Sequence, residues 1–422
     1  MFIKNKLAKE TWWSLINKGF VFVSFYVVNY VLARNFGVEL YGKWSFLWAF
    51  LSIISVFSFL GINTSAKKFF AEYLYTPKLQ GVYKYTFRLR TISSLSFLSL
   101  YSFIVVFCYI TQVLEKDQLF LLVISAPLVI LIGYVDYYRE FFSGVHRIFP
   151  LLVLNLIDYF FKILLIFLLL SRLNIPTVVL VFVCSSVACV IYAYFWSRNY
   201  FLSSGSGYSL DESTKNRIKE YSYPIFIMTI GFVLISEIDT VMLGILSNDE
   251  AVGRYALAKQ IVCKIPHLSL ALAAGLMPVF AKLPTGDELV RYREIFRKVI
   301  IYNTLLIVPI LLTVFVFGEK ILSLVGSDYS GSLYPLRILV LYAFFLSTSA
   351  FISSFLDYVG LAKKRAKNLT VAILLNAILN IILIPRYGAV GAASATLMSY
   401  LPYFVLNVLE AKKVFFSDQV QS

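Results

Sequence analysis

The sequence predicts an all-α polytopic membrane protein of about twelve transmembrane helices, and three observations predict it. The mean hydropathy is +0.79. Only 14% of the 422 residues are charged, against about a quarter in soluble domains, too few to cover a water-facing surface. Apolar runs of about 20 residues, long enough to cross a hydrocarbon core, recur along the whole chain.

Twelve segments qualify as spans: 12–33, 44–62, 91–113, 119–138, 150–170, 175–196, 224–246, 253–280, 299–317, 333–356, 368–384 and 389–409. The first follows Lys4, Lys6 and Lys9. It is too long for a signal-peptide core and has no small-residue cleavage site, so an uncleaved first span is expected. Pro127, Pro266, Pro309 and Pro402 fall inside spans, where proline is tolerated and kinks the helix.

Basic residues set the orientation. With both termini in the cytoplasm, about 26 of the Lys and Arg residues fall on the cytoplasmic side and about 7 outside, the bias of a positive-inside protein. The second and third spans are joined by Lys67, Lys68, Lys78, Lys84, Arg88 and Arg90, and the tenth and eleventh by Lys363, Lys364, Arg365 and Lys367. The short outer loops hold Glu115, Asp117, Asp249, Glu250 and Asp328. This asymmetry absorbs most of the net charge of +15, so no nucleic-acid partner is implied. Cys108, Cys184, Cys189 and Cys263 lie in apolar runs without a CxxC pair, and His146 and His267 are far apart. No disulfide framework, metal site or cofactor motif is expected. No nucleophile elbow or P-loop occurs either, which points to a transporter rather than an enzyme.

The longest polar interruption lies at mid-chain and contains Ser203, Ser204, Gly205, Ser206 and Gly207. It divides the chain into an N-terminal six-helix lobe (1–200), a cytoplasmic linker (201–222) and a C-terminal six-helix lobe (223–422). The halves share a motif. Glu39, Gly42, Lys43 and Trp44 match Glu250, Gly253, Arg254 and Tyr255, each pair 250 − 39 = 211 positions apart. A weaker echo links Gly144-Val145-His146-Arg147 to the loop from Gly360 to Arg365. Six spans per half give both halves one orientation, so the expectation is two pseudo-symmetric lobes with a substrate site at their interface.

Several stretches resemble polysaccharide-biosynthesis flippases. They are Arg34-Asn35-Phe36-Gly37 with Tyr41-Gly42, Gly61-Ile62, Asp239-Thr240-Val241-Met242-Leu243-Gly244, Val252-Gly253-Arg254-Tyr255-Ala256-Leu257-Ala258, and Asn376 and Asn380 with Ile384-Pro385-Arg386-Tyr387-Gly388-Ala389-Val390-Gly391-Ala392-Ala393. The family is the Wzx-type O-antigen and exopolysaccharide flippases, in the MOP superfamily with MurJ and the MATE exporters. The resemblance implies a MATE/MurJ-like fold in the bacterial inner membrane. It also implies a flippase that moves an undecaprenyl-pyrophosphate-linked oligosaccharide across that membrane by ion-coupled alternating access. Membrane lipid, a polysaccharide polymerase and a chain-length regulator would be its partners. MurJ has two further C-terminal spans that form a lipid groove; the groove is not carried over to this twelve-span chain.

Ionisable residues at membrane depth cost roughly 2.5–3.5 kcal/mol each on insertion scales and mark functional positions. In span eight, Gln260, Lys264 and His267 recur at i, i+4 and i+7 and share one helical face, a cationic stripe suited to a pyrophosphate. Lys259 is adjacent in sequence. The alternative is a lysine buried neutral or bonded to carbonyls freed by Pro266. In span five, Asn155, Asp158 and Lys162 share a face, and Asp158–Lys162 is either a structural pair or an ion-coupling site. In span seven, Glu237 and Asp239 point to opposite sides, and Asp239 matches the family's acidic position. Lys18 in span one either snorkels or lines the pathway, as first-span basic residues do in MurJ. Arg34, Asp136, Arg337 and Asp357 sit near span ends and are expected to snorkel.

Two other functions are open. A MATE-like exporter of small cationic compounds would be disfavoured by a pathway carrying Lys18, Lys264 and His267, because like charges repel. A membrane polysaccharide polymerase or ligase needs a large outer catalytic loop, and every outer loop here is short.

Overall fold

The computed structural model describes residues 2–112, 116–202, 210–270, 280 and 287–416. The loop at Glu115, the Ser/Gly stretch of the linker and part of the eighth span lie outside them. Eleven α-helices follow in order: α1 (Phe2–Phe59), α2 (Ile62–Glu72), α3 (Lys78–Thr111), α4 (Lys116–Gly144), α5 (Ile148–Leu168), α6 (Ile175–Leu202), α7 (Glu212–Leu246), α8 (Asp249–Val262), α9 (Asp287–Val325), α10 (Leu333–Tyr358) and α11 (Ala362–Phe416).

Among the described residues nine helices are long and apolar enough to cross a membrane. Two of these each combine two expected spans. The apolar part of α1 is 48 residues long, about 70 Å at helical rise, more than twice the hydrocarbon thickness. It is interrupted at Gly37, whose φ of 67° and ψ of 179° are not helical. In the same way α11 is interrupted at Gly388, with φ 51°. These breaks restore the expected separation of spans one from two and eleven from twelve. The eighth span departs from expectation. α8 ends at Val262, and Ile265 and His267 then donate backbone bonds only three residues back, to Val262 and Lys264. Pro266 is the cause. It has no N–H to give the Val262 carbonyl, and its ring crowds that carbonyl.

The chain forms two compact units. One holds residues 1–36 and 50–233, the other residues 37–49 and 234–422. α7 therefore contributes its first part to one unit and its second to the other.

In the first unit, aromatic residues fill the end of the bundle where α2, the start of α3 and the ends of α4 and α6 meet. Phe70, Tyr137, Phe141 and Phe142 are fully buried there, with Tyr83, Trp196 and Tyr200 packed on them. Edge-to-face pairs such as Phe70–Phe141 (5.1 Å) and Phe142–Trp196 (5.0 Å) are the arrangement that ring quadrupoles favour. Arg90 was counted above with the loop cations, but it is buried with no exposure. Its guanidinium and the Ser93 hydroxyl both donate to the Ser58 carbonyl at the end of α1. A cation at a helix C-terminus is favoured by the helix dipole, and the guanidinium also lies 4.7 Å from the Phe59 ring centroid. Glycine leaves the room opposite it, since a Cβ on Gly133 would lie 1.5 Å from an Arg90 nitrogen and the guanidinium would have to shift.

In the second unit, a matching cluster of Phe280, Phe296, Phe351, Phe355 and Phe415 gathers the start of α9 and the ends of α10 and α11. The shared motifs meet here. A Cβ on Gly42 would lie 1.8 Å from the Asp249 carbonyl oxygen, and one on Gly253 would lie 1.9 Å from the Val38 carbonyl oxygen. The contact is reciprocal, since 38 and 249 are the same 211 positions apart as 42 and 253. Each segment also starts at a break five residues before its glycine, at Gly37 and at the extended Asn248, the N-cap that accepts from the Ala251 N–H. The weaker echo has a structural basis too. His146 (φ 51°) and Gly360 (φ 82°) are the left-handed residues that follow α4 and α10, the common way to close a helix.

Candidate functional site

Among the described residues each unit contains a buried polar knot inside its helices. In the first unit it is centred on Asp158 of α5. Lys162, one turn further on, donates to Oδ1 at 2.8 Å, as the i, i+4 spacing predicts. Arg139 of α4 donates to Oδ2 at 2.8 Å, and Ser185 of α6 donates to Oδ1 at 3.1 Å. Arg139 also bonds Asp136 at 2.9 Å and Asn155 at 3.0 Å, and Asn155 donates to Asn17 of α1 at 2.8 Å. The expected pair is thus part of a larger network. Asp136 serves in it, correcting the expectation that it merely snorkels. Asp357 likewise pairs with Arg365 at 2.8 Å.

The second unit's knot is centred on Asp239 of α7, which is 1% exposed. Asn380 donates to Oδ1 at 2.6 Å, while Tyr255 (3.0 Å) and Thr396 (2.8 Å) donate to Oδ2. The second N–H of Asn380 goes to Asn376 at 3.0 Å. Every partner is neutral. Among the described residues no Lys, Arg or His nitrogen reaches Asp239 within salt-bridge distance. The Asn380 side-chain oxygen is buried without a partner.

The two knots share three pairs of corresponding spans, one with seven, five with eleven and six with twelve, while span four adds Arg139 and Asp136 to the first alone and span eight adds Tyr255 to the second alone. Ser185 and Thr396 are 211 positions apart and Asp158 and Asn380 are 222 apart, whereas Asn17 lies 20 residues before the break at Gly37 and Asp239 only 9 before that at Asn248, about three helical turns out of register. The carboxylate has changed helix between them. It stands on span five in the first knot and on the first span of the half in the second.

Glu237 is held differently from Asp239, as their opposite directions on the helix predict. It pairs with Lys259 of α8 at 2.9 Å, and Lys259 also donates to Thr240 at 3.2 Å and to the Ser236 carbonyl. This pair neutralises a candidate cation and a candidate anion together. The helix carrying the predicted stripe of Gln260, Lys264 and His267 is interrupted: Gln260 lies in α8, Lys264 in the turn 263–265 and His267 in the helical residues 266–270 that follow. Lys264 is half-buried, His267 is exposed, and the side-chain oxygen of Gln260 is buried without a partner. Lys18 is exposed on α1.

Sequence reasoning missed Arg139, Ser185 and Thr396. Arg139 was legible as an i+3 partner of Asp136. Ser185 and Thr396 carry no local signal, since an isolated hydroxyl in an apolar helix usually bonds its own backbone. Asn376 and Asn380 were noted through resemblance alone, although their i, i+4 spacing already marks a shared face.

Among the described residues no group of three or more His, Cys, Asp or Glu side chains is placed to hold a metal ion.

The profile of polysaccharide biosynthesis proteins matches residues 7–284, and that of MatE proteins matches residues 224–382. Over 198 residues the chain is 28% identical to the probable low-salt glycan biosynthesis flippase Agl15 of Haloferax volcanii, a match covering 46% of this chain and 42% of that protein. The chain thus spans less than half the length of that relative. An uncharacterized membrane protein of Methanocaldococcus jannaschii is 24% identical over 417 residues, covering 95% of this chain and 96% of that one. The fold is shared with an inward-facing multidrug resistance MATE family transporter of the MOP superfamily (TM-score 0.73, 13% identity, 94% of this chain and 96% of that one). It is shared also with the lipid II flippase MurJ in an inward closed conformation (TM-score 0.72, 16% identity, 95% and 87%). With its profile matched over more than half of the sequence, the chain belongs to the polysaccharide biosynthesis protein family.

Proposed function

We propose that the protein is a flippase for a lipid-linked oligosaccharide. It moves a repeat unit carried on a polyprenyl pyrophosphate such as undecaprenyl pyrophosphate from the cytoplasmic leaflet to the outer leaflet, for surface polysaccharide assembly. Both termini and the linker lie in the cytoplasm, and a polymerase and a chain-length regulator act on the product. Membership of the polysaccharide biosynthesis family carries this reading, and the flippase relatives support it.

Transport is ion-coupled through Asp239. A buried carboxylate held only by neutral donors is costly when ionised, so a cation or proton that binds it has large leverage on conformation. Lys264, His267 and Lys18 meet the pyrophosphate, because an anion crossing a low-dielectric path needs positive charge along it. No covalent chemistry is required of the chain, which acts as a transporter and not as an enzyme. In cells lacking the protein, lipid-linked repeat units should accumulate on the cytoplasmic leaflet. Unchanged surface glycan in such cells would refute the function.

The MatE match over 224–382 favours a second reading, export of small organic cations. Expression in a drug-sensitive host separates the two: a flippase leaves cationic-dye resistance unchanged, and an exporter raises it.

A further inference from the structure

The two knots meet on corresponding spans, five with eleven and six with twelve, and differ in charge. In the first, Asp136 and Asp158 are balanced by Arg139 and Lys162, and the set is neutral. In the second, Asp239 is surrounded by Tyr255, Thr396, Asn376 and Asn380, and the set carries one negative charge. Its neighbour Glu237 brings its own counter-ion in Lys259.

We propose that Lys162 is a tethered counter-ion, supplying at Asp158 in the first unit the charge that a mobile cation supplies at Asp239 in the second, so that only one of the two knots exchanges a cation. The inference rests on the coupling role given above to Asp239. The mobile species is a proton or a small alkali cation, either of which suits a set of carboxylate, hydroxyl and amide oxygens.

The surroundings of Lys162 fit a permanent occupant. Its ammonium sits one turn from Asp158 on the same helix. It lies 4.6 Å from the Phe182 ring centroid and 5.4 Å from that of Tyr159, and its side chain is 12% exposed. Ser185 takes the same carboxylate oxygen and Arg139 takes the other, so two of the three donors to Asp158 are cations, whereas all three donors to Asp239 are neutral. A covalent tether keeps the local ammonium concentration high and independent of the bulk solution. Asp239 has no such tether and instead has the unpartnered oxygen of Asn380 next to it.

The test is the unfolding midpoint of the full chain in detergent, with sodium chloride exchanged for N-methylglucamine chloride at constant ionic strength, at about pH 6 and about pH 8. Lys162→Met leaves the first knot with one negative charge. This variant should gain a cation response beyond that of the wild type, its midpoint rising by several degrees with sodium or with acid. Lys162→Arg should not gain it, and the double variant Asp158→Asn/Lys162→Met, neutral again, should lose it. A Lys162→Met protein that responds to cations as the wild type does would overturn the proposal. Should that variant fail to fold, the double variant decides: recovery of folding shows that the fault was charge, and continued failure shows that Lys162 matters for packing, which overturns the proposal. A wild type with no cation response would refute coupling at Asp239 while leaving the difference between Lys162→Met and wild type as a separate result.

Discussion

Asn380 donates its side-chain N–H to Oδ1 of Asp239 at 2.6 Å, joining α11 to α7 inside the second unit. The carboxylate has two other donors, both hydroxyls. Asp239→Asn should therefore remove the charge while changing the volume little. The expected result is a protein that inserts and folds but transports at less than a tenth of the wild-type rate, with any dependence on pH or sodium abolished. Transport in vesicles across a pH and a sodium gradient checks both. Retained ion dependence would place coupling elsewhere.

In the proposed function Lys264 is the cation assigned to the substrate anion, since Lys259 pairs with Glu237. Lys264→Ala should block export at normal protein level, and Lys264→Arg should keep part of it because the charge is retained. Lipid-linked repeat units extracted from the two strains, compared with surface glycan, measure this. Full surface glycan in the alanine strain removes Lys264 from the pathway.

The glycine crossing gives a packing prediction. Gly253→Ala places a methyl 1.9 Å from the Val38 carbonyl oxygen, and overpacking of a tight contact costs about 1–3 kcal/mol. Gly19→Ala is the control, because a Cβ there meets nothing within 4 Å. Thermal unfolding should show a lower midpoint for the first variant and none for the second. Equal midpoints would mean that the two segments move apart without cost.

Acid should loosen the start of α7. Asp211 accepts from Ser213, from Lys78 of α3 at 3.0 Å and from the Thr214 N–H at 3.1 Å. Together, with the Ser213 bond foremost, these hold its carboxyl well below the ordinary carboxylate range. A carboxyl depressed in the folded state contributes above its unfolded pKa and ceases to do so as pH falls through the folded one. Local protection from hydrogen exchange at 214–218 should therefore persist at neutral pH and fade only in strong acid. In Asp211→Ala it should be reduced already at neutral pH and should show no such loss in acid.

Topology is checked by thiol labelling of intact cells. A cysteine placed in the linker should resist an impermeant reagent, and one placed at Asp249 should react. The opposite pattern would reverse the direction of flipping.

Much of the fold was legible because hydropathy acts locally: a run of about 20 apolar residues marks a span whatever it packs against. The Asp158–Lys162 contact was legible for the same reason, being one turn apart on one helix. What sequence could not show was assembled across helices. Thr396 and Asn380 reach Asp239 from residues more than a hundred positions away, and Arg139 arrives at Asp158 from the preceding helix. The stripe of Gln260, Lys264 and His267 is interrupted by a rule visible in the chain itself. Periodicity was carried through Pro266, where the missing N–H and the clash with Val262 end the helix.

The reciprocal contact of Gly42 and Gly253 has a consequence for ancestry. On the duplication reading, a half-length ancestor would have made this crossing as a homodimer, with one surface patch meeting its own copy about a two-fold axis. Any substitution in that ancestor struck both sides of the contact at once, which leaves glycine as the residue least easily replaced. Fusion of the copies released the neighbours to diverge separately. Trp44 now packs against Trp48 at 5.8 Å, while its counterpart Tyr255 turns a hydroxyl to Asp239. On that reading the crossing has kept the ancestral symmetry, and the residues beside it record the point at which the two copies began to evolve as different surfaces.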